Sequence, residues 1–206
     1  ILNPPYKKLG ANTEIAQLLK SWGVSVPNLY AVFMVIALEM LKPGGEMVAI
    51  VPRSFANGDY FKSFRAWIRT HASIEGVVRY RSRSNLFRND NLLQENVIVK
   101  LRKGVHQSQD VRVTVCDTAD TTPLFEHMLP ASLMLPENPA GIILMPGCPE
   151  DVKALQTLQK QSCSLSELGL DISTGKIEHF RYLKEICREP EAMTGAVPML
   201  YSHNWE

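Results

Sequence analysis

In this chain of 206 residues, the residue types and spacing that can do chemistry stand near the start, in Asn3-Pro4-Pro5-Tyr6. Two adjacent prolines arise by chance at roughly one position in 400, given a typical usage of about 5%. Each proline fixes its own φ and pushes the preceding residue into extended geometry. Asn3 is therefore held in a stiff turn, with its amide and the following carbonyls aimed in fixed directions. The prolines also delete two N–H donors, which leaves a spot rich in acceptors. Such a spot suits an incoming NH2 group, and Tyr6 offers a flat face to a ring that carries one. The plain alternative is a strand-ending turn with a surface tyrosine.

The elements around the motif are those of an α/β protein. Ile1-Leu2 reads as the tail of a strand whose beginning is missing. A helix is expected over Asn28 to Leu41, opened by Pro27-Asn28 and closed by Lys42-Pro43-Gly44-Gly45. Met47 to Val51 is a continuous apolar run, the pattern of a strand covered on both faces. Asp59 to Thr70 reads as a second helix with Phe61, Phe64, Trp67 and Ile68 on its apolar face. Ile74 to Tyr80 and Asn96 to Leu101 are strands, separated by a polar stretch rich in Arg and Asn. This alternation predicts a largely parallel sheet, with room for a final antiparallel pair. Beyond Gly104, Val111 to Cys116 alternates as a half-buried strand, Pro123 to Pro149 is proline-rich, and Glu150 to Gln161 is helical in pattern.

Composition narrows the class further. Apolar residues make up 45% and charged residues 21%, as in ordinary globular domains, which excludes disorder, collagen and coiled coil. No apolar run reaches the roughly 18 residues a membrane helix needs, and no signal peptide is expected. The four cysteines (Cys116, Cys148, Cys163, Cys187) form no CxxC pair, so reduced thiols in a cytoplasm are the expectation. The five histidines are scattered, and no metal site is expected. A net charge of +1 hides an uneven distribution: Arg53 to Lys103 holds eleven basic and four acidic residues. That asymmetry fits a polyanionic partner, and it equally fits an ordinary surface with scattered cations.

With these residues in view, a family resemblance emerges. Asn3-Pro4-Pro5-Tyr6 resembles the catalytic motif of S-adenosylmethionine-dependent amino-methyltransferases that modify N6 of adenine in DNA. Pro27-Asn28-Leu29-Tyr30, Leu41-Lys42-Pro43-Gly44-Gly45 and Val51-Pro52 are similar to the same stretch in adenine methyltransferases of type II restriction–modification systems. Asn85-Leu86-Phe87, followed by Glu95-Asn96-Val97-Ile98-Val99, matches where that family places an aromatic residue against the flipped base. Leu165-Ser166-Glu167-Leu168-Gly169, Ser173-Thr174-Gly175 and Val197-Pro198-Met199-Leu200-Tyr201 resemble the start of its target-recognition domain.

The resemblance implies the C-terminal part of a Rossmann-like methyltransferase sheet over residues 1–105, a connector over 106–164, and a target-recognition domain beginning at 165–206. It implies catalysis by Asn3 and Pro4 with Pro5, and base stacking by Tyr6 and Phe87. Arg81, Arg83, Arg88, Ser173, Thr174 and Gly175 become candidates for DNA contact. For Phe87 the alternative is a loop aromatic capping the core; for the arginines and the Ser-Thr-Gly run it is a solvated loop or a turn. S-adenosylmethionine is the implied cofactor, double-stranded DNA the implied partner, and a restriction endonuclease, separate or fused, a second one. Most of the family's cofactor pocket precedes Asn-Pro-Pro-Tyr, so the chain reads as a fragment expected to be inactive alone. Two rivals use the same residues differently. One is a protein glutamine-N5 methyltransferase, which also grips a planar NH2. The other is a non-catalytic DNA-binding or specificity fragment in which the motif is a relic.

Overall fold

The computed structural model describes residues 1–80, 95–104, 110–117, 122–138 and 140–170. By its contacts the chain divides into two units, Ile1–Gln161 and Ser162–Glu206, and the elements below belong to the first. Helix α1 spans Glu14–Ser21 and is capped by Thr13, whose side chain accepts from the Ala16 amide. Glu14 in its first turn and Lys20 in its last complement the helix dipole. Helix α2, Leu29–Met40, starts at Asn28, whose side chain accepts from the Ala31 amide at 3.3 Å. It buries Tyr30, Ala31, Val32, Met34, Val35 and Leu38, which is why its sequence is apolar on almost every side. Gly44, at a φ of 78°, turns the chain after it into strand β1, Glu46–Pro52.

Two short 3-10 turns, Arg53–Ala56 and Asp59–Phe61, lead into helix α3, Lys62–His71. Strand β2, Ala72–Tyr80, follows, then β3, Asn96–Lys103, and β4, Val111–Cys116. Strand β5, Pro123–Leu129, precedes the single-turn helix α4, Ala131–Met134, and helix α5, Pro149–Gln159, completes the unit. The sheet order is β1-β3-β2-β4-β5. Strands β1, β2 and β4 run the same way, as the α3 crossover requires, but β3 lies antiparallel between β1 and β2. Strand β5 is antiparallel to β4.

The expectation of a largely parallel sheet is corrected here, while the antiparallel final pair, β2 with β3, is as expected. The reason is written in β3, where buried Val97, Val99 and Leu101 alternate with Ile98, Lys100 and Arg102. One face is covered and the other carries charge, the pattern of an antiparallel strand. Its cations are spoken for. A bulge between Ile74 and Gly76 leaves Glu75 without a cross-strand partner in the register. Glu75 and Glu46 together flank Lys100, at 3.0 Å each, and both also pair with Arg102.

Helix α1, strand β5 and the single-turn helix α4 escaped the sequence reading. Helix α1 is eight residues long and fully buries only Leu19, so its periodic signal is short. Strand β5 lies at the sheet edge and exposes Leu124, Glu126, His127 and Met128, so proline at its start outweighed a weak alternation.

Arg65 organises the far side of the sheet. It is fully buried and donates to four acceptor contacts on three backbone carbonyls: Phe55 at 3.0 Å, Gly58 at 2.7 Å, and Ala140 at 3.1 and 2.7 Å. It ties both 3-10 turns to the segment after α4. Arg65→Met removes these hydrogen bonds, leaving Gly58 only its bond from the Phe61 amide, and should lower the unfolding free energy by about 3 kcal/mol. Arg65→Lys, with three donors on one atom, should recover only part of that loss in the same urea titration.

Candidate functional site

The motif is slung between two pins. At its start, the Leu2 amide donates to the Val48 carbonyl at 2.8 Å and the Ile50 amide donates to the Leu2 carbonyl at 3.0 Å. This parallel bridge of Leu2 with Ala49 aligns the chain with β1, so Asn3 emerges toward the carboxyl end of that strand. At its end, the Leu29 amide donates to the Lys7 carbonyl at 2.9 Å and the Leu9 amide to the Pro27 carbonyl at 3.0 Å. The N-terminus of α2 thus fixes where the turn must finish. Pro4 is buried between the pins, and Asn3 and Pro5 are exposed. Among the described residues the Asn3 side chain makes no hydrogen bond, so its amide oxygen stands open as an acceptor.

Tyr6 is half-buried and meets Tyr30 edge-to-face, with ring centroids 6.0 Å apart and planes at 84°. Tyr30 in turn stacks on Phe61 at 5.5 Å, and its hydroxyl lies 3.3 Å from the Ser54 Oγ. The rings therefore form a chain from the motif into the core. Burial pushes Tyr30 up to about 12 and raises Tyr6 as well, so neither phenol ionises near neutrality. The Tyr6 hydroxyl is buried without a hydrogen-bond partner among the described residues. Tyr6 is thus a ring held edge-on to Tyr30, with no proton-transfer partner among the described residues. No group of three His, Cys, Asp or Glu side chains that could hold a metal occurs among the described residues.

Phe87, Arg81, Arg83, Arg88, Ser173, Thr174 and Gly175 lie outside the described residues. The described flanks of 81–94 are Tyr80, at the end of β2, and Glu95, just before β3, both at the carboxyl edge of β1 and β2. Sequence reasoning gave Glu95 as one of four acidic residues and as the start of a strand, and the structure gives it more. Its carboxylate receives Arg53 Nη1 on both oxygens at 2.9 Å and Arg79 Nη2 at 2.9 Å. The Arg53 amide also donates to the Glu95 carbonyl at 2.7 Å. Burial alone raises the Glu95 carboxyl, but the hydrogen bonds and charges of Arg79 and Arg53 outweigh it and hold it below the usual carboxylate range. The one available signal was that Arg53 follows Val51-Pro52 at a strand end, where ligands gather in α/β sheets.

The described elements thus form an α/β sheet with the Asn-Pro-Pro-Tyr turn at its carboxyl edge. Residues 1–87 match the model of the Eco57I restriction-modification methylase family. Over its length the chain is 34% identical to the type II methyltransferase M.BsuBI of Bacillus subtilis, covering 100% of this chain and 40% of that protein. It is 36% identical to the type II methyltransferase M.PstI of Providencia stuartii, covering 98% and 39%. The chain thus spans two fifths of the length of these curated relatives. Among solved structures it is similar to a modification subunit of a putative type I restriction enzyme from Vibrio vulnificus YJ016, at 12% identity and a TM-score of 0.49, covering 76% of this chain and 38% of that one. No helix among the described residues is long and apolar enough to cross a membrane.

The depressed Glu95 carboxyl fixes the sign of an acid effect. Its ion pairs stabilise the fold fully above the ordinary glutamate value of about 4.3 and less as pH falls through the lower folded value. Unfolding free energy should therefore drop as pH falls below about 4.3, and Glu95→Gln should flatten part of that drop in urea titrations run across this range.

Proposed function

We propose that the protein carrying this chain transfers a methyl group from S-adenosylmethionine to N6 of an adenine flipped out of DNA, as the modification half of a restriction–modification system in the cytoplasm. The observation that supports this best is the pinned Asn-Pro-Pro-Tyr turn, with an open Asn3 amide beside a ring held edge-on by Tyr30. A duplex hides N6, so the base must leave the stack and be received by a flat partner. Tyr6 is that partner, and stacking of this kind is worth about 1–3 kcal/mol per base. We assign Phe87 to a second side of the base, and Arg81, Arg83, Arg88, Ser173, Thr174 and Gly175 to DNA contact. On this assignment, 1–105 is the end of the catalytic domain, 106–164 a connector, and 165–206 the start of target recognition.

The chemistry follows from what the turn can accept. The exocyclic nitrogen is a weak nucleophile because its lone pair is delocalised into the ring. Its two N–H bonds donate to the Asn3 side-chain oxygen and the Pro4 carbonyl, which favours a more tetrahedral nitrogen with a localised pair. S-adenosylmethionine, when bound, supplies an electrophilic methyl group on its sulfonium. The adenine nitrogen attacks that carbon in line, the carbon–sulfur bond breaks with its electron pair going to sulfur, and one N–H proton passes to water. Positioning carries the rate, so no shifted general base is required. The residues present fit this role on the base side, with an exposed acceptor and two prolines that remove competing donors. No residue of this chain is assigned to holding the cofactor, whose pocket we place upstream of the motif.

The test uses the full-length protein, methyl-labelled S-adenosylmethionine and unmodified bacterial DNA, digested to nucleosides after reaction. Wild type should place label in N6-methyladenine, and Asn3→Ala should lose it while retaining DNA binding. Equal label from both proteins sinks the role of Asn3. Label in a protein glutamine amide, or in nothing despite DNA binding, replaces the adenine reading with one of its rivals. Because the Tyr6 hydroxyl has no partner among the described residues, Tyr6→Phe should transfer methyl at close to the wild-type rate, and Tyr6→Ala should lose capture of the base.

A further inference from the structure

A cavity of about 430 Å³ opens at the carboxyl ends of β1, β2 and β4. Arg53, Arg79 and Glu95 line one part of it, and Val115, Leu124 and Phe125 another. Glu95 holds the two guanidinium groups but does not exhaust them. Arg53 uses only Nη1 on the carboxylate, and its Nε and Nη2 make no hydrogen bond among the described residues. Arg79 spends Nη2 on Glu95 and Nη1 on the Met145 carbonyl. Its Nε is buried with no hydrogen-bond partner among the described residues. Two guanidinium groups against one carboxylate leave a net positive charge in a partly enclosed space, where fields are focused and anions concentrate.

The cavity falls within the range of about 300–1,000 Å³ typical of small-ligand pockets. A bare phosphate would leave its apolar wall uncovered, whereas a nucleotide unit has an anion and an apolar body at the right scale. The cavity also opens on the edge toward which the Leu2–Ala49 bridge directs Asn3. We propose that this cavity is a second nucleic-acid subsite, seating one nucleotide of the DNA with its phosphate on Arg53 and Arg79 and its sugar or base on Val115, Leu124 and Phe125. The assignment rests on DNA being the substrate. It also gives the Glu95 bridge a purpose: the carboxylate orients two cations that would otherwise repel and splay apart.

The full-length protein and a duplex that it methylates provide the test. Binding is measured for wild type and Arg53→Gln, on native DNA and on a series in which one phosphate at a time is an uncharged methylphosphonate. Arg53→Gln should lower the log–log salt slope by about one. One neutralised phosphate should weaken wild type and leave the variant unaffected. An unchanged slope, or a variant sensitive at every phosphate that wild type senses, overturns the subsite. Loss of Arg53 leaves Glu95 with a single partner, so Arg53→Gln/Glu95→Gln is run alongside and carries the same requirement if the single variant fails to fold. N6-methyladenine is counted in the same samples. A wild type that methylates no DNA overturns the proposed function; methylation with a phosphate footprint independent of Arg53 overturns the subsite alone.

Discussion

Two backbone hydrogen bonds carry more of this structure than their number suggests. The Leu2 amide and carbonyl, bonded to Val48 and Ile50, lock a residue that belongs to no long strand onto the edge of β1. The two prolines that follow cannot donate, so the turn has no hydrogen bonds of its own with which to hold its shape. Its geometry is therefore inherited from what lies on either side. The parallel bridge sets one end, and the pairing of Lys7 and Leu9 with Leu29 and Pro27 sets the other. A turn built this way is stiff where its φ angles are fixed and open where its acceptors are free. That combination is what a binding edge for an amine requires.

The same constraint explains the ring chain beneath it. Tyr6 can hold one attitude only if its neighbours are immobile, and Tyr30 is fixed from three sides. It lies in the first turn of a capped helix, it stacks on Phe61, and its hydroxyl reaches Ser54. Phe61 and Ser54 belong to the 3-10 turns that Arg65 ties down through the Phe55 and Gly58 carbonyls. A buried arginine is expensive to desolvate, and its cost is offset here by four hydrogen bonds to backbone carbonyls at the 3-10 turns and after α4. The path from Arg65 to Tyr6 thus runs through contiguous packed groups.

How much of this was legible in the sequence depended on whether a signal was local. Asn28 as a helix cap, Gly44 as a stop and Val111 to Cys116 as a strand all follow from residues within a few positions of one another. The motif itself was legible because two prolines restrict the backbone wherever they occur. The insertion of β3 between β1 and β2 was not, because it depends on a pairing between residues about 50 positions apart, as Glu46 with Arg102. The Glu95 cluster was hidden for the same reason: Arg53, Arg79 and Glu95 meet only when three strand ends converge. The roles given to Phe87, Arg81, Arg83, Arg88, Ser173, Thr174 and Gly175 rest on resemblance, since 81–94 and 171–206 lie outside the described residues.

Charge offers the sharpest lesson about reading function from composition. The basic middle of the chain looks like a surface for a polyanion, yet Arg53, Arg65, Arg69, Arg79, Lys100, Arg102 and Lys103 are all engaged by carboxylates or backbone carbonyls. Lys100 and Arg102 stitch β1 and β2 to β3, and Arg65 and Arg69 fasten loops to α3. These cations serve folding first, and a charge engaged at close range by a carboxylate contributes little field at the distance of a DNA backbone. What distinguishes Arg53 and Arg79 is that their partner leaves donors unspent beside a cavity. In a mixed sheet of this kind, a useful cation is recognised by what it still lacks.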